Sequence, residues 1–294
     1  YKWKPKEFTP NGQAKIDENI LASLPYPEAK RLAEFFLIQK RIGMLAEGAG
    51  AWLKKVSPDG RLRHRLNSNN CVSGRATATS PNLQQVPSSG SPYGKECREL
   101  FTAPRGWVIC GTDLSGIELR LLASYLHPYD GGEYSKQILE GDIHTYNQHA
   151  AGLATRNLAK TWVYATLYGG GDRLIGAIAG GGAKKGKQLK DNYDKAVPAF
   201  ATLKRNLKTA AKRGHIKALD GRKLRVRSEH RCLSQLLQSA GAIVAKQWVM
   251  MTYDKIKEKY GDRVFIMGWI HDEMQIACKT KEIAEDVGNI AGAM

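Results

Sequence analysis

Two apolar runs of strand length, Val264-Phe265-Ile266-Met267-Gly268-Trp269-Ile270 and Met274-Gln275-Ile276-Ala277, are separated by only His271-Asp272-Glu273. Three residues leave the chain little choice but to reverse, so the pair predicts a tight antiparallel hairpin with buried arms and an acidic tip. Tips of this kind ordinarily recruit Gly, Asn or Pro, and none is present. Turn chemistry alone therefore explains the tip poorly, and a function for its carboxylates is the better reading.

A second carboxylate has a similar address. Trp107-Val108-Ile109-Cys110 is an apolar run ending at Gly111-Thr112-Asp113, and helical periodicity follows through Leu119, Leu122, Ala123 and Leu126. The pattern predicts a buried strand running into a helix, with Asp113 at the junction, a good position for a metal ligand. Asp113-x-Ser115-x-x-Glu118-x-Arg120 also contains a plain capping box, Ser115 with Glu118, and taken alone that is the simpler reading.

The third constellation is Arg156, Lys160, Tyr164 and Tyr168, four apart, followed by Gly169 and preceded by Thr155 as a candidate N-cap. On a helix these four form a stripe about 18 Å long. Cations near a helix N-terminus make a phosphate site, and tyrosines farther along can face a sugar and a base. An exposed basic helix with two half-buried tyrosines is the competing reading.

Charge supports an anionic partner. Across 294 residues the formal net charge is +17. Residues 156–231 hold 19 basic and 5 acidic side chains, a balance of +14, leaving +3 for the remainder. A solvated lysine-rich surface would look the same locally, but the excess is larger than solubility needs.

The length suits about two domains or one elaborate one. Residues 27–47 read as a helix with Leu32, Phe35, Phe36, Ile38, Ile42 and Leu45 on its apolar face. Residues 61–66, between Ser57-Pro58-Asp59-Gly60 and Asn67-Ser68-Asn69-Asn70, suit a short hairpin or exposed strand pair. Residues 184–213 read as helical, with Tyr193, Phe200, Leu203 and Leu207 on one face, and a further helix is expected over residues 234–259. The apolar stretch from Leu236 to Met251 is broken by Gln238 and Lys246, so no membrane span is expected. Five scattered cysteines without a C-x-x-C pair fit a reducing compartment. The chain opens on Tyr1 with Lys2, Lys4 and Lys6 and no apolar leader, and it reads as an internal fragment.

Taken together and in order, the three constellations form equipment for phosphoryl or nucleotidyl transfer. Two distant carboxylates on strand ends could hold a pair of magnesium ions about 4 Å apart while the basic stripe orients a triphosphate. Such chemistry needs placement and charge neutralisation more than covalent help.

At these residues the chain resembles the family A DNA polymerases, in particular the replicative enzymes of T7-like phages. Asp113-Leu114-Ser115-Gly116-Ile117-Glu118-Leu119-Arg120 is similar to motif A, Arg156 to Gly169 to motif B, and Ile270-His271-Asp272-Glu273 to motif C. The likeness extends through Gly74-Arg75-Ala76-Thr77, Tyr93-Gly94-Lys95-Glu96-Cys97-Arg98, Gly141-Asp142-Ile143-His144-Thr145 and Leu236-Leu237-Gln238-Ser239-Ala240-Gly241.

The resemblance implies an α/β (α+β) right-hand polymerase, with an antiparallel palm sheet, a largely helical fingers subdomain and a thumb mostly missing. Its parts would be a thumb base and helical entry over residues 1–56, palm over 57–124, fingers over 125–229, and a truncated second palm part over 230–294. It implies template-directed addition of deoxynucleotides to a primer 3′-OH, in viral DNA replication within the host cytoplasm. Asp113 and Asp272 would bind two Mg²⁺ ions, the Leu114 carbonyl would complete one site, and Glu273 would assist. His144, Arg156 and Lys160 would contact the incoming deoxynucleoside triphosphate, with Ser115 nearby. Tyr164 would sit by the 3′ position of the sugar, and Glu118 would crowd the 2′ position. Tyr168 and Gly169 would lie near the templating position, while Arg75, Gln238 and His271 would touch the minor groove or primer end of primer-template DNA. No membrane is implied, no segment resembles the family's 3′-5′ exonuclease, and a processivity factor would belong to the full-length parent. Two alternatives remain at this stage: a single-subunit RNA polymerase-like enzyme, against which Glu118 argues, and an inactive DNA-binding fragment.

Overall fold

The computed structural model describes residues 3–5, 8–9 and 11–294. Tyr1, Lys2 and Lys6, part of the basic N-terminal opening, lie outside the described residues. The chain divides into two compact units, residues 1–66 with 78–101, and residues 67–77 with 102–294.

The first unit holds short helices. Helix α1 (Glu18–Ala22) packs on α2 (Pro27–Ile42), which begins with Pro27 in its first turn, where the missing N–H is harmless. The chain then passes through a π-turn, Gly43–Glu47, and α3 (Trp52–Lys55). Helix α2 buries Ala29 and Ala33 and leaves Leu32, Phe35, Phe36 and Ile42 exposed, so its core face is not the one its large side chains suggested. The small residues permit close packing with Leu21 and Leu24 instead.

Two short strands, β1 (Arg65–Asn67) and β2 (Thr77–Thr79), pair with each other. The hairpin expected within residues 61–66 is therefore reduced to one isolated bridge, Val56 to Leu62, and the strand it feeds pairs farther along the chain. Helix α4 (Gly94–Glu99) completes the unit.

The second unit has two layers of core. Strand β3 (Val108–Asp113) is followed by α5 (Ile117–Asp130), α6 (Glu133–Leu139), α7 (Ile143–Ala151), α8 (Arg156–Leu167), α9 (Asp172–Ile178), α10 (Ala183–Ala196) and α11 (Pro198–Ala211). A two-stranded hairpin, β4 (His215–Lys217) with β5 (Lys223–Arg225), leads to the long α12 (Cys232–Tyr260). The chain ends in β6 (Val264–Ile270), β7 (Glu273–Cys278) and α13 (Lys281–Ala293).

The helical core gathers around Trp162, Tyr134, Tyr193 and Phe200, all almost fully buried. The Tyr193 hydroxyl donates to Asn147 Oδ1 at 2.8 Å and that of Tyr134 to the same oxygen at 3.2 Å, so both buried tyrosine hydroxyls find partners. Residues 184–213 form two helices, broken at Val197-Pro198 because proline cannot continue the ladder. Tyr193, Phe200, Leu203 and Leu207 are all buried, as their spacing predicts.

The sheet that positions the acidic residues is antiparallel, in the order β3-β7-β6. Its covered face packs Ile276, Cys278 and Val264 against Trp248, Ile283 and Val287 of α12 and α13. Trp248 donates its indole N–H to the Ala291 carbonyl at 2.7 Å, joining the two helices. Strand β3 is an edge strand with Val108 and Ile109 exposed, which corrects the expectation of a buried strand. An apolar run reports strand propensity but not which edge its partner occupies. Among the described residues, no helix is long and apolar enough to cross a membrane.

Candidate active site

Register brings the two acidic motifs together. Asp113, the last residue of β3, is paired with Glu273, the first of β7. The next residue, Leu114, donates its N–H to the Asp272 carbonyl at 3.0 Å, extending the ladder by one step into the turn. Residues 159 positions apart thus meet at one end of one sheet. Ile270 pairs with Glu273, so the turn is only His271-Asp272, and Glu273 belongs to the strand rather than to the tip.

His271 has φ +60°, the left-handed region, at the first central position of this turn. Glycine is the ordinary occupant of such a position, and a β-carbon there costs on the order of 1–2 kcal/mol. The Trp269 indole N–H donates to the His271 carbonyl at 2.8 Å and holds the bend. Strain retained beside a carboxylate fits a site whose geometry is used.

The capping box does not form. Helix α5 begins after Gly116, itself left-handed, with no side-chain cap. Glu118 accepts instead from the Tyr168 hydroxyl at 2.8 Å and faces the Arg75 guanidinium at 3.5 Å. Burial, and then this bond to Glu118, push the Tyr168 hydroxyl up to about 12. Burial also raises Tyr164, with Glu118 and Asp272 as the charges it feels. Asp113 is raised by burial and then by repulsion from Asp272, Glu273 and Glu118. His271 is lowered by burial and then by Arg75.

Helix α8 is capped by Thr155, whose Oγ1 accepts from the Leu158 N–H at 3.2 Å, as expected. It carries Arg156 and Lys160 exposed, Tyr164 half-buried, and Tyr168 exposed as its C-terminal cap residue. Behind the stripe, Ala159, Trp162, Val163 and Leu167 anchor the helix in the core. Gly169 follows with φ +80°, and a β-carbon there would stand 2.5 Å from the His230 carbonyl oxygen. Lys190 of α10 donates to the Gly170 carbonyl at 2.7 Å and pairs with Asp172 at 2.9 Å, securing the chain just after the helix.

His144 is lowered by burial and then by the Arg156 charge. Its Nδ1 is buried without a hydrogen-bond partner among the described residues. Arg156 Nε donates to Asp142 Oδ2 at 2.5 Å, joining the starts of α7 and α8. Arg75, Ala76, Ile117, Gly241, Ala242, Lys246, His271 and Asp272 line one small cleft of about 20 Å³. Gln238 lies one turn before Gly241 and Ala242 on α12 and is half-buried. Ser115 is exposed, and its carbonyl accepts from Arg120 Nε at 3.0 Å.

The donor set at the sheet end suits a hard divalent cation. It offers carboxylate and carbonyl oxygens, and although Arg75 faces Glu118, no basic side chain among the described residues forms an ion pair with Asp113, Asp272 or Glu273. Among the described residues no three His, Cys, Asp or Glu side chains form a ready metal cage. Two protein carboxylates with the remaining positions left to substrate is the arrangement Mg²⁺ favours.

Sequence reasoning singled out no role for Asp142, Lys190 or Arg222, whose guanidinium lies against the Gly74 backbone. Only Asp142 carried a signal, an Asp three residues before Thr145 at a helix start.

The fold is that of a polymerase domain: it superposes with a TM-score of 0.79 on the POL domain of Pol1 from M. smegmatis in complex with DNA primer-template and dNTP. That likeness covers 100% of this chain and 55% of the other, at 20% identity. The chain matches the profile of DNA polymerase family A over residues 1–294 and belongs to that family. It is 43% identical to the DNA-directed DNA polymerase of Enterobacteria phage T3 and 42% identical to that of Escherichia phage T7. These matches take in 98% and 97% of this chain but 46% and 45% of the relatives. The thermostable DNA polymerase I of Thermus aquaticus is 27% identical over 79% of the chain and 30% of its own length. The chain therefore spans about half the length, or less, of the curated relatives it matches.

Proposed function

We propose that this chain carries the nucleotidyl-transfer site of a template-directed DNA polymerase that extends a primer 3′-OH with deoxynucleotides during phage replication in the host cytoplasm. The observation that carries the proposal is the meeting of Asp113 with Asp272 and Glu273 at one sheet end, next to the helix that bears Arg156, Lys160, Tyr164 and Tyr168. The family relationship and the DNA-directed DNA polymerase activity of the phage relatives support it.

Asp113, Asp272 and the Leu114 carbonyl would hold two Mg²⁺ ions, with Glu273 beside them. When bound, the ions supply charge neutralisation and activation of the primer hydroxyl. Arg156, Lys160 and His144 take the triphosphate oxygens and steady its position. Glu118, pinned by Tyr168 and Arg75, fills the space where a ribose 2′-OH would fall. Tyr164, within reach of the Glu118 and Asp272 charges, faces the sugar's 3′ side, and Ser115 lies near the nucleotide. Tyr168 and Gly169 border the templating base, while Arg75, His271 and Gln238 follow the minor groove of the primer-template. Within this reading, residues 1–56 are a thumb base, 57–124 and 230–294 palm, and 125–229 fingers. A processivity factor would act on the longer protein.

The test is primer extension with Mg²⁺ by wild type, Asp113→Ala and Asp272→Ala, each also assayed for DNA binding. Each substitution is expected to lower extension by at least about a hundredfold while DNA binding persists. Extension that survives either change would remove the carboxylate pair from the chemistry. Efficient use of ribonucleotides by wild type would instead favour an RNA polymerase.

A further inference from the structure

Two helix starts converge on one carboxylate. Asp142 caps α7: its Oδ1 accepts from the N–H groups of His144 at 3.0 Å and Thr145 at 3.3 Å. Its Oδ2 accepts from the Thr145 hydroxyl at 3.1 Å and from Arg156 Nε at 2.5 Å. A carboxylate has about four acceptor positions, so this one is filled. Arg156, the first residue of α8, spends only Nε on the pair, and among the described residues Nη1 and Nη2 have no protein partner.

Neither stability nor capping accounts for an aspartate here. The pair is open to water, with the side chains 50% and 42% exposed, and pairs of that kind contribute little to folding. Asparagine or serine would cap the helix equally well. A negative charge among Arg156, Lys160 and His144 also opposes any incoming anion.

We propose that Asp142 is a positioning residue for the triphosphate: it grips Arg156 by Nε, fixes the guanidinium plane, and leaves both Nη groups as a preformed fork for phosphate oxygens. This rests on the reading of Arg156 as a triphosphate ligand. A guanidinium is a rigid planar set of five N–H donors, so holding one of them orients the rest. The ordering that a free arginine undergoes on binding is then already done in the empty protein. Arg156 first, and then the bonds from Thr145 and His144, hold the Asp142 carboxyl well below the usual carboxylate range, so it is charged when it meets the guanidinium.

Orientation and charge act on nucleotide affinity in opposite directions, and Asp142→Asn separates them. The amide oxygen still caps α7, but the NH₂ group cannot accept from Arg156, and the negative charge is gone. If the carboxylate acted through charge alone, Asp142→Asn would bind triphosphate more tightly; if it positions Arg156, binding weakens.

The experiment is equilibrium binding of dATP, with Mg²⁺ and a primer-template whose primer lacks its 3′-OH, to the 294-residue chain, with thermal midpoints measured in parallel. Asp142→Asn is expected to weaken dATP binding about tenfold, the effect of losing one charge-assisted contact. Its thermal midpoint should stay within about 2 °C of wild type. Arg156→Lys, which lacks the fork, should also weaken binding, and adding Asp142→Asn to it should cost nothing further. Unchanged or tighter binding by Asp142→Asn would overturn the proposal, as would losses that multiply in the double variant. Wild type that binds no dATP would overturn the triphosphate reading together with this one, whereas binding by wild type and Asp142→Asn alike removes this one alone.

Discussion

Asp113 stands where folding alone would not put a carboxylate. It is partly desolvated and faces three acidic neighbours, so its proton is held more tightly in the folded chain than in the unfolded one. The favourable linkage is fully present below the unfolded pKa and is lost as pH rises through the raised folded value, so at neutral pH the charged group destabilises the fold. Asp113→Asn removes that repulsion while keeping the shape. It is expected to raise the thermal midpoint at pH 7 in metal-free buffer, to leave it nearly unchanged well below the carboxylate range, and to abolish primer extension. Scanning calorimetry at both pH values checks the sign, and a midpoint that falls at pH 7 would show that the acidic cluster is not repulsive. Added Mg²⁺ should stabilise wild type more than the variant, because a cation bound only to the folded state shifts the midpoint by mass action.

Among the elements, α8 is held at both ends by different means, a threonine cap at its start and glycine with a lysine strap at its finish. Gly169 has no room for a side chain: its φ is +80°, and a β-carbon would press on the His230 carbonyl at 2.5 Å. Gly292, inside α13, has nothing within 4 Å of a β-carbon. One substitution should therefore act with opposite signs at the two sites. Gly169→Ala is expected to destabilise by more than about 1 kcal/mol, and Gly292→Ala to stabilise by roughly 0.5–1 kcal/mol, both read from denaturant midpoints. Elements whose partners lie next to them in sequence were the legible ones. The β6–β7 hairpin, α12 and the capped α8 follow from a three-residue tip, a long apolar period and Thr155. The edge position of β3 and the failure of the Ser115–Glu118 box were not legible, because distant contacts decide them, and the face of α2 was not legible because it is small alanines, not its large apolar residues, that pack on Leu21 and Leu24. Glu118 shows the reason most directly: its local partner is three residues away, yet it bonds to Tyr168, fifty positions on. The members of the candidate site were legible as residue types, since Asp113, Asp272 and the α8 stripe stand out in the sequence, but the grip of Asp142 on Arg156 depends on two helix starts meeting.

At the scale of the whole molecule, most of the basic excess, +14 of +17, lies in residues 156–231, and the acidic members of that segment are largely spent inside it. Asp172, Asp194, Asp220 and Glu229 pair with Lys190, Lys204, Arg222 and Lys208, while Arg156 is held by Asp142. Among the described residues the other cations of the segment, including Lys184, Lys185, Lys187, Lys212 and Arg213, have no carboxylate partner. Unpaired cations of this kind release counterions from a nucleic-acid backbone, which makes affinity fall steeply with salt. Four or more phosphate contacts would reduce DNA affinity by about a hundredfold between roughly 50 and 200 mM KCl. The expected measurement is fluorescence anisotropy on a labelled primer-template across that range, with Asp113→Ala following the same slope as wild type, because its carboxylate lies outside the basic segment. A shallow slope would mean that the segment is a solvated surface rather than a DNA-facing one. A slope changed by Asp113→Ala would mean that binding and chemistry are not separable in the way the charge distribution implies.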